Sequence, residues 1–284
     1  MKLGFIGQGY VGKSYADYFE REGAHEIVRY SLENPYAHNK DRIAECDVVF
    51  IGVPTPTTPE GFSADIVSAV LALVGVGKTA VIKSTILPGT TKKMQETYPD
   101  RHILYSPEFL SEATAAYDAE HPFSNIIGMP VESSDMRDAA ERVLKLLPVA
   151  PHSIICTSLE AEIVKYSHNG SGYVQVVFFN LMYDLAQKLG ARWEAIEDAL
   201  KADPMISNRY ARPVHKTGRG AGGHCFIKDF RALGSLYGEE LAGDAAGKSV
   251  FESLEKKNLE LLMSTHKDID LVEGVYGPVD LKKS

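Results

Sequence analysis

Gly7-Gln8-Gly9-Tyr10-Val11-Gly12 restricts this chain more than any other feature. It follows an apolar run, residues 3–6, and opens an amphipathic stretch, residues 10–21. Between a buried strand and a helix, G-x-G-x-x-G makes a tight turn at its first glycine. The second lets a pyrophosphate approach the backbone, and the third packs helix on strand, with the helix N-terminus facing the anion. The pattern alone would be weak, and a Gly-rich turn without ligand is its plain alternative. The strand–turn–helix context favours a dinucleotide site. The alternation then repeats, with apolar runs at 27–30, 48–53, 80–83, 102–105 and 125–128, and a weaker one at 153–156. Helical stretches at 65–74, 90–97 and 134–147 separate most of them, whereas 31–44 reads as loop. Short buried strands alternating with helices predict right-handed βαβ units and a mostly parallel sheet.

The period changes at Thr157. Thr157 and Glu160 form a capping box, hydroxyl and carboxylate each satisfying an orphan amide. A helix then runs through Lys165, Asn169, Phe178 and Leu185 to Gly190, apolar enough to be buried on several sides. Gly170 and Gly172 inside it each cost roughly 1 kcal/mol of propensity, which a close approach of ligand or partner helix would explain. A helix over 192–201, a Gly-rich loop over 218–223, and more helix from Lys228 and from Gly247 follow. The expected architecture is α/β: a Rossmann-like, mostly parallel sheet domain (1–156), then an all-helical domain with a long central helix (157–266). A polar tail (267–284) reads as disordered. The 284 residues suit two domains.

Composition closes off other classes. Acids outnumber bases 38 to 30, a net charge of −8, and no basic run favours a nucleic-acid partner. Cys46, Cys156 and Cys225 are odd in number and form no C-x-x-C pair, which suits a reducing, cytoplasmic setting. No apolar run reaches the ~20 residues of a membrane span. The N-terminus enters an apolar strand at once, so no leader is expected.

An acid at the end of the second strand would hold the adenosine ribose, but Ser31 stands there and Glu33 comes two residues late. Serine does not repel a 2′-phosphate, and Arg29 could attract one. NAD is favoured and NADP stays open. The segment Gly218-Arg219-Gly220-Ala221-Gly222-Gly223-His224-Cys225-Phe226-Ile227-Lys228-Asp229 repeats the glycine pattern without a preceding strand. It reads as a flexible loop ending in a thiol that Lys228 and a helix start would shift toward thiolate, a nucleophile. Cys46 and Cys156 read as inert, and His224 as pointing elsewhere. Lys165 and Asn169, four apart, share a helix face. Pro107-Glu108-Phe109-Leu110-Ser111-Glu112 and Ser84-Thr85 lie at strand ends, where open α/β sheets bind ligands. No histidine pair has metal-ligand spacing, and no metal is expected.

In this order the motifs resemble the UDP-glucose/GDP-mannose dehydrogenases, which oxidise a nucleotide sugar at its primary alcohol. The likeness is collinear from Met1 to about Asn258. It runs through the 7–12 loop, Val53-Pro54-Thr55-Pro56, Lys83-Ser84-Thr85 with Pro88-Gly89-Thr90-Thr91, and the 107–112 segment. Glu160-Ala161-Glu162 then leads to Lys165 and Asn169, Asp203-Pro204 precedes Tyr210 and Pro213, and Gly222-Gly223-His224-Cys225 with Lys228-Asp229 follows. The resemblance implies a four-electron, NAD-dependent oxidation through a thiohemiacetal and thioester on Cys225. It implies that Lys165 and Asn169 stabilise the oxyanion and that Asp229 and Lys165 handle protons and water. Thr85, through a water, and Glu112 assist, with Glu108 in support. It further implies cofactor contacts at Gly7, Gly9, Tyr10, Val11, Gly12, Thr55, Thr85 and Lys228, with Ser31 at the ribose. Substrate contacts fall on Phe109, Leu110, Lys165, Asn169, Gly222 and Tyr210, and the long helix implies a homodimer. The chain ends where the family's third domain is expected, so a partner chain supplies that wall of the substrate site or the substrate is smaller.

Two rivals remain. A two-electron β-hydroxyacid-type dehydrogenase shares the layout and the Lys165/Asn169 spacing, but needs no cysteine and no 107–112 segment. A non-catalytic cofactor-binding subunit would not need Thr85, Glu112, Lys165, Asn169, Cys225 and Asp229 together.

Overall fold

A seven-stranded sheet organises the first of two units in the computed structural model, which describes residues 1–206 and 210–279. This unit comprises Met1–Pro56 and Ser63–Lys165. Its chain runs β1 (Lys2–Ile6), α1 (Tyr10–Glu22), β2 (Glu26–Tyr30), a 3₁₀ helix (Ala37–Glu45) and β3 (Val48–Ile51). The hairpin β4 (Thr57–Thr58) and β5 (Gly61–Phe62) follows and groups with the second unit. Then come α2 (Asp65–Leu71), β6 (Thr79–Ile82), α3 (Thr90–Thr97) and β7 (His102–Tyr105). A 3₁₀ turn (Glu112–Thr114), α4 (Ala115–Glu120), β8 (Ser124–Met129), α5 (Ser134–Leu146) and β9 (His152–Thr157) complete it, with the first turns of α6 (Ser158–Leu189).

The sheet order is β2-β1-β3-β6-β7-β8-β9, and neighbouring strands pair in parallel except β7 with β8. Leu3, Phe5, Phe50, Val81, Leu104 and Ile127 build the core, with Phe5 stacked on Phe50 at 5.2 Å. Strand order reverses between β1 and β3, so the crevice where such sheets take ligands lies beyond their carboxyl ends. The 31–44 link, expected as loop, contains the 3₁₀ helix. It is anchored by buried Ile43 and by Asn39 Nδ2, which donates to the Arg29 carbonyl at 3.0 Å. The Arg29 carbonyl lies outside the segment, so local pattern did not reveal this anchor.

The capping box forms as expected. Thr157 N–H donates to Glu160 Oε2 at 2.8 Å, and Glu160 N–H to Thr157 Oγ1 at 3.3 Å. The two units meet in sequence at Lys165 and Tyr166, inside α6. The helix start is held by the sheet layer: a Cβ on Gly128 would lie 2.7 Å from Ser158 Cα and 2.9 Å from Ala161 Cβ.

The second unit contains Thr57–Phe62 and the chain from Tyr166 onward. It holds the rest of α6, α7 (Trp193–Lys201), the two-residue strands β10 (Val214–His215) and β11 (Gly218–Arg219), α8 (Gly223–Glu240), α9 (Ala245–Ser264) and α10 (Ile269–Tyr276). Gly172 is small because Phe226 of α8 and Tyr210 press on it, at 2.8 and 3.0 Å from where a Cβ would sit. Two expectations change. Helix α8 begins at Gly223, not Lys228, so Cys225 lies in its first turn. The tail is not an unpacked polar segment through 276, because α10 buries Val272 and Val275 against Ile227 and Leu262. Residues 280–284 lie outside the described residues. A groove of about 660 Å³ runs along α6 and α7, lined by Phe178, Met182, Leu185, Leu189 and Trp193. Among the described residues, no helix is long and apolar enough to cross a membrane.

Candidate functional site

In the first unit the site begins where β1 turns into α1. Gly7 has φ +89, and a Cβ there would fall on the Gly52 carbonyl past β3. A Cβ on Gly12 would fall on the carbonyl oxygen of Gly7. Around Gly9 nothing lies within 4 Å of a Cβ position. Gly9 caps α1 without a side-chain hydrogen bond, and no acid sits in the first turn. Open space beside helix N-terminal amides fits a dinucleotide pyrophosphate. Val11 packs on the core, and Tyr10 opens the helix. Ser31 follows β2, its hydroxyl donating to the Glu33 carbonyl at 3.0 Å. Arg29 turns inward: Nε and Nη2 donate to Glu20 at 2.8 and 2.6 Å, and Nη2 also meets Asp17 at 2.7 Å. Two carboxylates already neutralise it, so it does not favour a 2′-phosphate.

The next strand ends are bonded to each other. Thr55 Oγ1 donates to the Thr85 carbonyl at 2.7 Å, and both residues are buried. Ser84 Oγ links both backbone groups of Val53, at 2.9 and 2.7 Å. Lys165 Nζ reaches the Glu108 carbonyl at 2.6 Å and Oε1 at 3.0 Å, while Glu108 Oε2 accepts from Leu110 N–H at 2.7 Å. Phe109 lies 5.5 Å beneath the same ammonium. Such a pair must be satisfied on every side to be tolerated in the interior. Glu112 is not in this buried cluster; it is exposed on its 3₁₀ turn.

Two neighbours, Lys83 and Glu162, carry no motif role in the sequence. Lys83, at the end of β6, donates to Ser106 Oγ at 3.1 Å and lies 4.4 Å over the Tyr15 ring. Burial pushes its ammonium down to about 7; Glu108 opposes the shift and Lys165 adds to it. Glu162, in the first turns of α6, accepts from Gly89 N–H at 2.6 Å, Thr91 N–H at 2.8 Å and Thr91 Oγ1 at 2.5 Å. It thereby fixes the turn into α3. Burial raises its carboxyl pKa against the pull of those donors. A lysine closing an apolar run was the available signal for Lys83.

In the second unit Cys225 is half-buried, with Lys228 and Asp229 following on the same face of α8. Asp229 accepts from Lys228 Nζ at 2.5 Å and, through Oδ2, from Asn169 Nδ2 at 2.7 Å. Asp229 and Asn169 are buried, so the carboxylate fixes which way the amide faces. Tyr210 lies 5.6 Å from Phe226 in a tilted pair, and His224 is exposed. Gly222 caps α8. By contrast, burial pushes the Cys46 thiol up to about 11 and also raises Cys156, which keeps both protonated. Among the described residues, no His/Cys/Asp/Glu group could hold a metal ion.

Two sequence models of one family match the chain. Residues 26–147 match the NAD binding domain of the UDP-glucose/GDP-mannose dehydrogenase family, and residues 159–256 match its central domain. A putative UDP-glucose 6-dehydrogenase of Bacillus subtilis is 29% identical over 240 residues, covering 79% of this chain and 54% of the relative. A UDP-glucose 6-dehydrogenase of Rhizobium meliloti is 28% identical over 277 residues, covering 82% and 62%. This chain therefore spans little more than half the length of these relatives. Among solved structures, a UDP-glucose dehydrogenase from Pyrobaculum islandicum superimposes with a TM-score of 0.77 at 25% identity, over 91% of this chain and 68% of that one. A 3-hydroxyisobutyrate dehydrogenase from Mycobacterium tuberculosis shares the fold, with a TM-score of 0.69 at 17% identity over 97% and 98% of the two chains.

Proposed function

The chain belongs to the UDP-glucose/GDP-mannose dehydrogenase family, and from that premise we propose that it oxidises a UDP-glucose-like primary alcohol to the carboxylate in two stages. The supporting observation is the arrangement on α8: a cysteine in the first turn, then Lys228 and Asp229, with Asp229 bonded to Asn169 at 2.7 Å. NAD, when bound, accepts a hydride in each oxidation. The 7–12 loop and the first amides of α1 hold its pyrophosphate, and Thr55 and Thr85 support the same crevice. Ser31 takes the ribose end and Lys228 a further cofactor contact.

Cys225 attacks the aldehyde carbon left by the first oxidation. A C–S bond forms, and the carbonyl oxygen gains the negative charge. Lys165 and Asn169 stabilise that charge, and donors fixed in advance around a developing oxyanion supply much of the rate in many such steps. After the second oxidation the carbon is a thioester. Water adds to it, the C–S bond breaks, and the carboxylate and the Cys225 thiolate separate. Lys165 and Asp229 carry the protons, and Thr85, Glu108 and Glu112 assist the water. Phe109, Leu110, Gly222 and Tyr210 contact the substrate.

We also propose a homodimer through α6. Val174, Phe178, Leu181, Leu185 and Leu189 are exposed along it, and a second copy would cover them. Light scattering should give twice the chain mass at micromolar concentration, and a monomer would remove this part.

The main test counts NADH per acid formed over a panel of nucleotide sugars, with Cys225→Ser alongside. The proposal expects two NADH per carboxylate, and no acid from Cys225→Ser at unchanged NAD affinity. One NADH per product, with the serine variant fully active, would instead favour a two-electron dehydrogenase using Lys165.

A further inference from the structure

The glycines preceding α8 all meet one wall. A Cβ on Gly218 would fall on the hydroxyl of Thr265. One on Gly220 would lie 3.0 Å from the Asn258 amide oxygen and 3.1 Å from Leu261 Cβ. One on Gly222 would run into the Asp268 carboxylate and lie 2.9 Å from Lys267 Cε. The wall is the end of α9 and its link to α10. Gly222 has φ −106, which any residue adopts, so proximity alone excludes a side chain there.

The same wall is hydrogen-bonded to the loop backbone. Thr265 Oγ1 accepts from Arg219 N–H at 3.0 Å, and Lys267 Nζ donates to the Gly220 carbonyl at 2.8 Å. Asn258 accepts from Ala221 N–H at 2.7 Å and donates to the Ala221 carbonyl at 2.9 Å. Asp268 Oδ2 accepts from Gly223 N–H, the first residue of α8, at 2.7 Å. Asn258 and Lys267 are buried. Asp268 sits at φ +55, in the left-handed region that Asp enters more readily than most residues.

We propose that Asn258, Lys267 and Asp268 are positioning residues that clamp the 219–223 backbone, so that α8 starts at Gly223 and presents Cys225 from its first turn. This rests on reading Cys225 as the nucleophile. An attacking atom must be held in a near-attack geometry, and a shift of about 1 Å can cost on the order of 100-fold in rate. The clamp lies in α9 and its link to α10, so these elements act on the reaction without touching substrate.

The test uses the full chain with Asp268→Ala, Asp268→Asn, Lys267→Met and Gly222→Ala. Asp268→Ala and Lys267→Met should lower kcat for acid formation roughly 10- to 100-fold, with KM and NAD affinity within about twofold. Asp268→Asn keeps an acceptor for Gly223 N–H and should recover most of the rate. Gly222→Ala should lose as much as Asp268→Ala, and the double variant should be no worse than the poorer single one, because the residues touch. Amide exchange at Gly223 should quicken in Asp268→Ala, independently of activity. If Cys225→Ser is inactive yet the clamp variants keep wild-type kcat, the clamp is wrong and the nucleophile stands. A fully active Cys225→Ser removes both. Equal loss in Asp268→Asn and Asp268→Ala would also overturn the clamp.

Discussion

Residues 7–12 and residues 218–223 both spell G-x-G-x-x-G, for different reasons. In the first loop the outer glycines answer close backbone, Gly7 the Gly52 carbonyl and Gly12 the Gly7 carbonyl, and the middle one faces open space at a helix start without a side-chain cap. In the second loop Gly218, Gly220 and Gly222 each face side chains of α9 or its link to α10, and the amide of Gly223, the third glycine of the pattern, is already taken by Asp268. A glycine pattern therefore reports that side chains are absent, not what replaces them. An anion cradle leaves the space beside the helix start empty, whereas a clamp fills it with the chain itself.

Gly12→Ala should expose this contrast most strongly. Its Cβ meets backbone that cannot swing aside, and the cost should reach about 4 kcal/mol or more, among the largest single-residue effects. Denaturant unfolding measures it. Wild-type stability would mean that the corner relaxes and the first loop is no tighter than the second.

Each unit also buries a lysine against backbone, Lys83 in the first and Lys267 in the second. Burial brings Lys83 from 10.5 to about 7, so between those values the unfolded chain holds a proton that the folded chain lacks. Stability contributed at this site should therefore rise as pH goes from about 7 toward 10, by about 3 kcal/mol. Urea unfolding of wild type and Lys83→Met across that range should show the rise only in wild type. Parallel curves would mean that Lys83 is buried without losing its charge.

Gly9→Ala should separate space from strain. With nothing within 4 Å, stability should hold within about 0.5 kcal/mol while NAD affinity falls at least about tenfold, roughly 1.4 kcal/mol. Denaturant unfolding reads the first and calorimetric titration the second, and unaltered affinity would place the pyrophosphate elsewhere. The smallest effect expected is from Ser31→Asp. Because Arg29 is held by Glu20 and Asp17, a new carboxylate beyond β2 should move the NAD/NADP affinity ratio toward NAD by roughly fivefold, about 1 kcal/mol. An unmoved ratio would mean that Ser31 does not face the adenosine ribose.

Much of the first unit was legible before folding. Its strands are short continuous apolar runs and its helices carry a period of 3.6 within single segments, so β1, α1, α3 and the start of α6 fall where expected. The order of Thr85, Glu108, Lys165, Asn169, Cys225 and Asp229 was equally plain, being a property of the chain itself. The start of α8 was not. Glycine and cysteine are poor helix formers, and the group that satisfies Gly223 N–H is Asp268, far along the chain. Helix α10 was hidden because its short apolar pattern becomes meaningful only against Ile227 and Leu262.

The sequence by itself determined which segments pair into βαβ units, where the first phosphate-type turn lies, and which reactive side chains the chain carries. Those features depend on neighbours within a turn or a strand. Only the tertiary structure decided that Arg29 faces two carboxylates, that Lys83 is buried beside Ser106, and that the second glycine loop is a clamp. Each of those outcomes depends on a side chain or backbone brought close from elsewhere in the chain. A lysine closing an apolar run or a glycine in a loop marks where a close approach can occur, but the partner lies elsewhere in the chain and only folding supplies it.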